Sequence, residues 1–534
     1  MIAASELRWR RERDDAENWH LLQLAPAANL GFTEATTYLI EKPRIDCRFY
    51  VDDELLSDDS DKSNCWVWKP RFFCGEVTAE LVLSENEESI LYLLDVSPDL
   101  NKLGREAFSQ MVRELWEADP HLVIGTEPAT IGNRVLGIGE DPWAAFARLR
   151  RYGAETIQAL EAIRAQPMRK LRGRRDSVAI HQARRVDRHT AALLVRGPAI
   201  SLFADEMDES STGETVAFLN VPCVESTLDS AANRAMLALL FTLLRRTRAL
   251  AQRLELLVNE DQPSETRSSL AARWPRRKQC LKEFEARFKR MLRLQPFSEV
   301  EREEITSAGL TAIAADPKYS RAWRLGRKVL REGFDSNVSA ERHWISPSWE
   351  IYEKWCFLNV GQLLVEQFYD WEWSRKRSPN RWEGFKEGGQ AVLLLQPQFS
   401  SNKLSVQGHW SISKQRKPDL VLEVKRGEEV RFLVLDAKYR ATKANVLDAM
   451  ESAHIYQDSL RIGNRRPEGS LLIVPAAGGA GWLESREFQQ EHRVGVHVMA
   501  PGLKSSLPDV IREILIWEEA IKTSNGSKVS DSVD

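Results

Sequence analysis

Lys417-Pro-Asp-Leu-Val-Leu-Glu-Val424 and, after a short polar turn, Arg431-Phe-Leu-Val-Leu-Asp-Ala-Lys-Tyr-Arg440 are the stretch that decides how this chain is read. Two apolar, β-rich runs, Asp419 to Lys425 and Arg431 to Tyr439, flank Arg426-Gly-Glu-Glu429, which is the spacing of a hairpin. Side chains alternate faces along a strand, so Asp436 and Lys438 point one way and Ala437 the other. Asp419 opens the partner strand and comes close to the end of the strand that holds Asp436 and Lys438. Two carboxylates and an ammonium then converge at one sheet edge. Such oxygen ligands suit a hard divalent cation, Mg2+ or Mn2+, which keeps several waters. The metal polarises a phosphoryl oxygen and lowers the pKa of bound water. A nearby lysine orients or deprotonates the attacking water and offsets developing negative charge. Glu423-Val-Lys425 is a second acid-x-Lys match, but Asp436-Ala-Lys438 is the one with Pro418-Asp419 on the preceding strand.

Working outward, the Ser346-Pro-Ser entry and the stripe of Trp349, Tyr352, Leu363 and Leu364 predict a helix over 346–369. Strands are expected at 391–395, 404–412, 470–474 and 494–499, a helix at 446–461, and a last helix to about 522. Residues 338–523 thus read as one α/β domain, and 524–534 as a disordered tail. The Trp group from Trp344 to Trp382 reads as packing. Residues 1–140 read as a β-rich N-terminal domain, with strands at 72–74, 77–83 and 90–96, a helix at 104–118, and Asp52 to Asp61 as a solvated acidic turn.

Residues 141–337 read as helical, with few strand signals, and basic. Between Arg148 and Arg196 there are 13 Lys and Arg against 4 Asp and Glu; between Thr266 and Arg331, 17 against 7. The densest clusters, Arg169, Lys170, Arg172, Arg174 and Arg175, then Arg276, Arg277 and Lys278, are the candidates for gripping a phosphate backbone. The competing reading places them on the wet faces of long helices.

Pro-Asp on one strand and acid-x-Lys on the next, behind an acid-bearing helix, resembles the PD-(D/E)XK nuclease superfamily. That resemblance implies a restriction-endonuclease-like domain, with Asp419 and Asp436 as metal ligands and Lys438 as the catalytic lysine. Glu353, in Trp349-Glu-Ile-Tyr-Glu-Lys-Trp355, matches the helix acid that completes the ligand set. The Tyr-Glu-x-Trp phrase is similar to bacterial proteins related to the McrC subunit of modification-dependent restriction systems. Those proteins often carry His-x-Tyr-x-Asp on the downstream helix, matched by His454, Tyr456 and Asp458, which can also be an i,i+4 hydrogen-bonded pair and a core tyrosine. The RecB-like branch has Gln-x-x-x-Tyr there, whereas here Gln457 follows Tyr456. The resemblance covers about a third of the chain and implies a DNA endonuclease of restriction or phage defence, working with an AAA+ NTPase. The chain has no Gly-x-x-x-x-Gly-Lys-[Ser/Thr] loop of its own. A catalytically silent DNA-binding or assembly subunit and an RNA-directed nuclease are the alternatives.

Composition agrees with this reading without deciding it. The 534 residues are 43% hydrophobic and 29% charged, which excludes disordered and fibrous classes and allows several domains. The net charge of −3 conceals the two basic segments. Six cysteines with no Cys-x-x-Cys pair disfavour a zinc ribbon and fit a reducing compartment. The start of the chain turns charged before an apolar run forms, and 235–244 is half the length of a membrane span. The expectation is a cytoplasmic, multidomain α+β protein that binds DNA and no membrane; homo-oligomerisation is left open.

Overall fold

Alternating apolar residues build the first sheet, in which Val77, Ala79 and Leu81 are buried. The computed structural model describes residues 7–515 except 16, 44–45, 59–63, 84–88, 100–101, 134–140, 180–181, 197–217, 262–266, 332–340, 378, 402–407 and 504–506. The expected tail and the end of the last helix lie outside them, as do 404–407 and Asp59 to Asp61. The chain forms two compact units: residues 1–138, 261–273 and 334–534, and residues 139–260 and 274–333.

In the first unit, β1 (Ala28–Thr33) runs parallel to β3 (Ser89–Ser97), which pairs antiparallel with β2 (Gly75–Leu83). A second sheet, built around Arg8–Arg11, Tyr38–Glu41 and Cys65–Trp68, joins them through aromatic packing, with Trp9 4.2 Å from Phe32 between ring centroids. Helix α1 (Arg105–Ala118) follows, then β4 (Thr130–Asn133). β4 pairs with Glu341–Trp344, so a strand from the start of the C-terminal segment completes this sheet.

Two expectations for this region change. Phe72 to Cys74 is not a strand: Phe73 and Cys74 are buried in a connecting segment, and the Phe72 carbonyl accepts from Ser348 N at 2.7 Å. Apolarity there encodes burial rather than β structure. Nor is Asp52 solvated. Asp52 and Asp53 take φ of 46° and 70° in the turn between Cys47–Val51 and Glu54–Leu55, the left-handed pair such a tight turn favours. Both are buried, and Asp52 accepts from Arg273 Nη1 at 2.8 Å and Trp344 Nε1 at 2.9 Å.

The second unit holds α2 (Pro142–Ala165), α3 (Ala231–Glu260), most of α4 (Leu270–Leu292), α5 (Ser307–Ala315) and α6 (Pro317–Val329). It is not wholly helical. β5 (Lys170–Ala179) and β6 (Phe218–Thr227) pair antiparallel along their whole length, from Lys170 opposite Thr227 to Ala179 opposite Phe218. Lys170, Arg172, Arg174 and Arg175 therefore lie along a strand, with Arg169 just before it, and not on the face of a helix.

The C-terminal segment is α/β. Helix α7 (Ser348–Gln367) is buried on nearly every side, which carries Glu353 inside. A seven-stranded sheet follows in chain order: β7 (Glu372–Arg377), β8 (Asn380–Lys386), β9 (Gly389–Leu395), β10 (Leu420–Arg426), β11 (Glu429–Ala437), β12 (Gly469–Val474) and β13 (Val494–Val498). Pairing is antiparallel from β7 to β11 and parallel from β11 to β13. The Trp-rich stretch before residue 386 thus supplies two strands, and Gly361 lets α7 close on Trp382, since a Cβ would lie 2.0 Å from its Nε1. Helix α8 (Lys443–Ser459) is the crossover between β11 and β12. Its Val446, Ala449, Met450 and Ala453, at helical spacing, pack against Leu472, Val474, Val494 and Val496. The strand expected over 404–412 is described only as His409–Ser411, paired with Leu460–Ile462, where α8 has ended. A short helix, Arg486–His492, capped by Ser485 and ended by left-handed Arg493, was not legible.

Burial on β13 has a measurable consequence. His497 is 3% exposed, and burial lowers its pKa to about 4. The unfolded chain then binds an extra proton between about pH 6.5 and 4, so stability is full above that window and falls as pH drops through it. The expected loss is about 3 kcal/mol by pH 4. Urea unfolding of wild type and His497→Gln across this range checks it, with a flatter profile expected for the variant.

Candidate active site

The hairpin register sets the geometry. Leu420 lies opposite Leu435 and Val421 opposite Val434, so Asp419 stands beside the end of β11. Asp419 Oδ2 accepts from Ala437 N at 2.9 Å, which fixes it there. Lys438 Nζ lies 2.7 Å from Asp436 Oδ2 and 3.5 Å from Asp419 Oδ2. Lys438 N continues the pairing to β12 through Ile473 O at 2.8 Å. Asp419, Asp436 and Lys438 are thus brought together as the alternation predicted.

Glu353 reaches this neighbourhood from α7, but the expected set of three carboxylates is not assembled. Among the described residues no three His, Cys, Asp or Glu side chains stand close enough to hold an ion by themselves. Glu353 Oε2 instead accepts from Gln396 Nε2 at 2.9 Å. Gln396, at φ 50° just beyond β9, also bonds the Asp419 carbonyl through its own N–H at 2.6 Å and so ties two of the acids. Ser452, on α8, has its Oγ 2.6 Å from Asp436 Oδ2 and 2.8 Å from Ala449 O, its one proton shared between them. Neither Gln396 nor Ser452 stands out by residue type. Only the placement of α8 over β11 could have pointed to Ser452.

Electrostatics follow from burial. Asp419 is pushed well above the carboxylate range by burial and then by the Asp436 charge. Burial raises Glu353 to about 7, against the pull of Lys438 and Gln396. Burial opposes charge on Lys438, but Asp419 and Asp436 outweigh it and hold the ammonium protonated. Lys438 thus sits as an ammonium between the two carboxylates. Asp436 Oδ1 is buried with no hydrogen-bond partner among the described residues. A buried polar oxygen left so is costly, and with Asp419 beside it the donor set fits a hard divalent cation completed by water or phosphate oxygens.

The remaining candidates divide. Tyr456 is half-buried, packs on the cluster of Phe399, Val421 and Val434, and is raised by burial and then by Asp436, so it faces the site. His454 and Asp458 are exposed on the same helix with no hydrogen bond between them; Asp458 lies 4.0 Å from Arg466. Glu423 is buried and hydrogen-bonded to His409 Nε2, which takes the second acid-x-Lys match out of the site.

Of the basic residues, Arg169 and Lys170 are exposed. Arg172 lies 3.4 Å from Glu301, and Arg174 3.2 Å from Asp176 and 3.6 Å from Glu225. Arg175 holds Asp187 in a two-pronged pair at 2.7 and 3.0 Å. Arg276 is half-buried, and Lys278 pairs with Glu255. Arg277 is 1% exposed, its guanidinium 5.3 Å above the Trp143 ring, so it cannot grip a backbone as expected. Arg172, Arg174, Arg175 and Lys278 thus each meet a carboxylate of the same unit.

An outer serine that orients a metal-binding carboxylate typically contributes 10-fold to 100-fold. Ser452→Ala is accordingly expected to reduce metal affinity or turnover by about that factor, read from Mg2+ titrations of rate.

A hairpin delivering Asp, Asp and Lys to one sheet edge, beside a helix carrying Glu, defines the PD-(D/E)XK class of fold and site. Residues 350–472 match the family model of the PD-(D/E)XK nuclease superfamily, and this segment belongs to it. Residues 106–324 match a domain of unknown function (DUF2357). No curated protein matches the chain. A solved half-complex from the tetradecameric assembly of Thermococcus gammatolerans McrB AAA+ hexamers with bound McrC has 10% identity over 79% of this chain and 78% of that chain, at a TM-score of 0.21. The fold assignment rests on residues 350–472 and the sheet topology, not on that superposition. No described helix is long and apolar enough to cross a membrane.

Proposed function

We propose that this protein is a divalent-metal-dependent DNA endonuclease of a restriction or phage-defence system. The observation that carries the reading is the Asp419, Asp436 and Lys438 cluster with Asp436 Oδ1 left without a partner. Asp436 and Asp419 would hold Mg2+ or Mn2+, with Glu353 near them through Gln396. The ion, when bound, supplies a polarised phosphoryl oxygen and an acidified water. Lys438 would hydrogen-bond a phosphoryl oxygen and offset charge as the attacking water, its proton passing to solvent, bonds to phosphorus and the P–O bond to the leaving oxygen breaks, that oxygen taking a proton from solvent. Ser452 and the Ala437 N–H keep the two carboxylates aimed.

DNA as substrate and an AAA+ NTPase as partner rest on the likeness of Tyr352-Glu-Lys-Trp355 and of His454, Tyr456 and Asp458 to McrC-related proteins. The division at about 140 and 338, with residues 338–523 cutting and the middle region binding DNA or a partner, is part of the same reading. A cytoplasmic location agrees with it. Arg169 and Lys170 are the exposed residues of the first basic cluster that meet no carboxylate among the described residues, so they lead the DNA candidates.

The test is incubation of purified protein with modified DNA, unmodified DNA and RNA, with and without Mg2+ and nucleotide. Mg2+-dependent cleavage of DNA is expected. Cleavage in EDTA, or of RNA alone, would overturn the reading.

A further inference from the structure

Glu34 is fully buried just after β1, far in sequence from the site. Its Oε1 accepts from Lys102 Nζ at 2.7 Å and from Asp99 N at 3.0 Å, and its Oε2 from Ser348 Oγ at 2.6 Å. Ser348 is the first residue of α7, the helix that carries Glu353. The same Lys102 ammonium sits 4.9 Å from the centre of the Tyr439 ring and 5.2 Å from that of Phe72. Tyr439 follows Lys438 directly, stacks on Tyr352 of α7 at 5.0 Å, and has its hydroxyl 3.4 Å from Leu103 O. Tyr352 in turn donates to Met499 O at 2.8 Å. One ion pair from the N-terminal β-rich region, its carboxylate fully buried, therefore touches both chain segments that carry site residues: the head of α7 and the residue next to Lys438.

We propose that Glu34 and Lys102 are positioning residues for the cleavage reaction, an inference that rests on the nuclease reading above. Neither touches the reacting atoms. A cation over the face of a ring fixes the plane and height of that ring, and a covalent neighbour of Tyr439 cannot move independently of it. Glu34 holds that cation and the first turn of α7 through one carboxylate, so the separation of Lys438 and Glu353 is set from the N-terminal region. Misplacing a reacting group by about 1 Å costs about 100-fold in rate. The N-terminal 140 residues thereby gain a role in the chemistry.

Lys102→Met alone would strand a buried carboxylate, so the test pairs it with Glu34→Gln, which removes both charges at nearly constant volume. Lys102→Arg is the conservative control. Full-length proteins are compared for kcat and KM on supercoiled plasmid with Mg2+, for amide hydrogen exchange over residues 433–440, and for Tm. The double variant is expected to lose about 10-fold to 100-fold in kcat with KM changed by no more than about twofold. Exchange should quicken over 433–440 with Tm close to wild type, and Lys102→Arg should retain most of the rate. Wild-type kcat and wild-type exchange in the double variant would overturn the proposal, as would a fall in Tm with exchange raised uniformly along the chain. If the wild-type protein does not cleave, the nuclease reading fails on its own, and the local exchange at 433–440 still decides whether the ion pair positions this strand end.

Discussion

Asp436→Asn and Lys438→Ala are each expected to abolish detectable Mg2+-dependent cleavage while leaving DNA retention within about twofold of wild type. Asparagine keeps the shape of the aspartate but removes the charge from the most buried acid of the site, including the Oδ1 atom that has no partner. Lys438→Ala removes the only cation within 4 Å of either aspartate among the described residues. Losing one preorganised donor to developing charge typically costs 100-fold to 1,000-fold in rate, about 3–4 kcal/mol. Asp436→Asn has a second effect, since it also releases Ser452. Plasmid cleavage and filter retention measured on the same preparations separate chemistry from binding. Cleavage that survives both substitutions places the chemistry elsewhere in the chain.

Arg273→Leu is expected to destabilise the first unit by about 3–5 kcal/mol, because it leaves Asp52 charged, buried and uncompensated. The pair spans 2.8 Å between side chains that are 0% and 6% exposed, and Asp52 also holds the Trp344 indole at 2.9 Å. Arg273 Nε adds a bond to Ser269 O at 3.2 Å. Asp52→Asn in the Arg273→Leu background removes the stranded charge and should restore more than half of the loss. Urea unfolding of the two single variants and the double variant gives the coupling directly. A loss below about 1 kcal/mol for Arg273→Leu would mean that water reaches this pair.

These two predictions mark what residue patterns disclose. Asp419, Asp436 and Lys438 were legible because strand alternation and a two-residue turn are local rules, and the three types have a joint chemical meaning. Glu353 came through a motif, and its burial follows from a helix that is apolar on almost every side. Gln396 and Ser452 were not legible: each acts through hydrogen bonds fixed by tertiary placement. Asp52 misled for the opposite reason. An acidic run resembles a solvated loop unless the distant Arg273 that meets it is known. The β5–β6 pairing was missed because residues 180–217 separate its strands and its arginines suit a helix face equally well. On that strand pair Arg172, Arg174 and Arg175 meet carboxylates of Asp176, Asp187, Glu225 and Glu301, partners far apart in sequence for all but Asp176.

The most direct measurement is the position of Mn2+ in crystals of the full-length protein, located by anomalous diffraction. The proposed chemistry predicts a peak coordinated by Asp436 Oδ1 with Asp419 as a second ligand, lost in Asp436→Asn crystals. A peak only at other carboxylates, or no peak here at saturating Mn2+, would contradict a metal-dependent nuclease site at Asp419, Asp436 and Lys438.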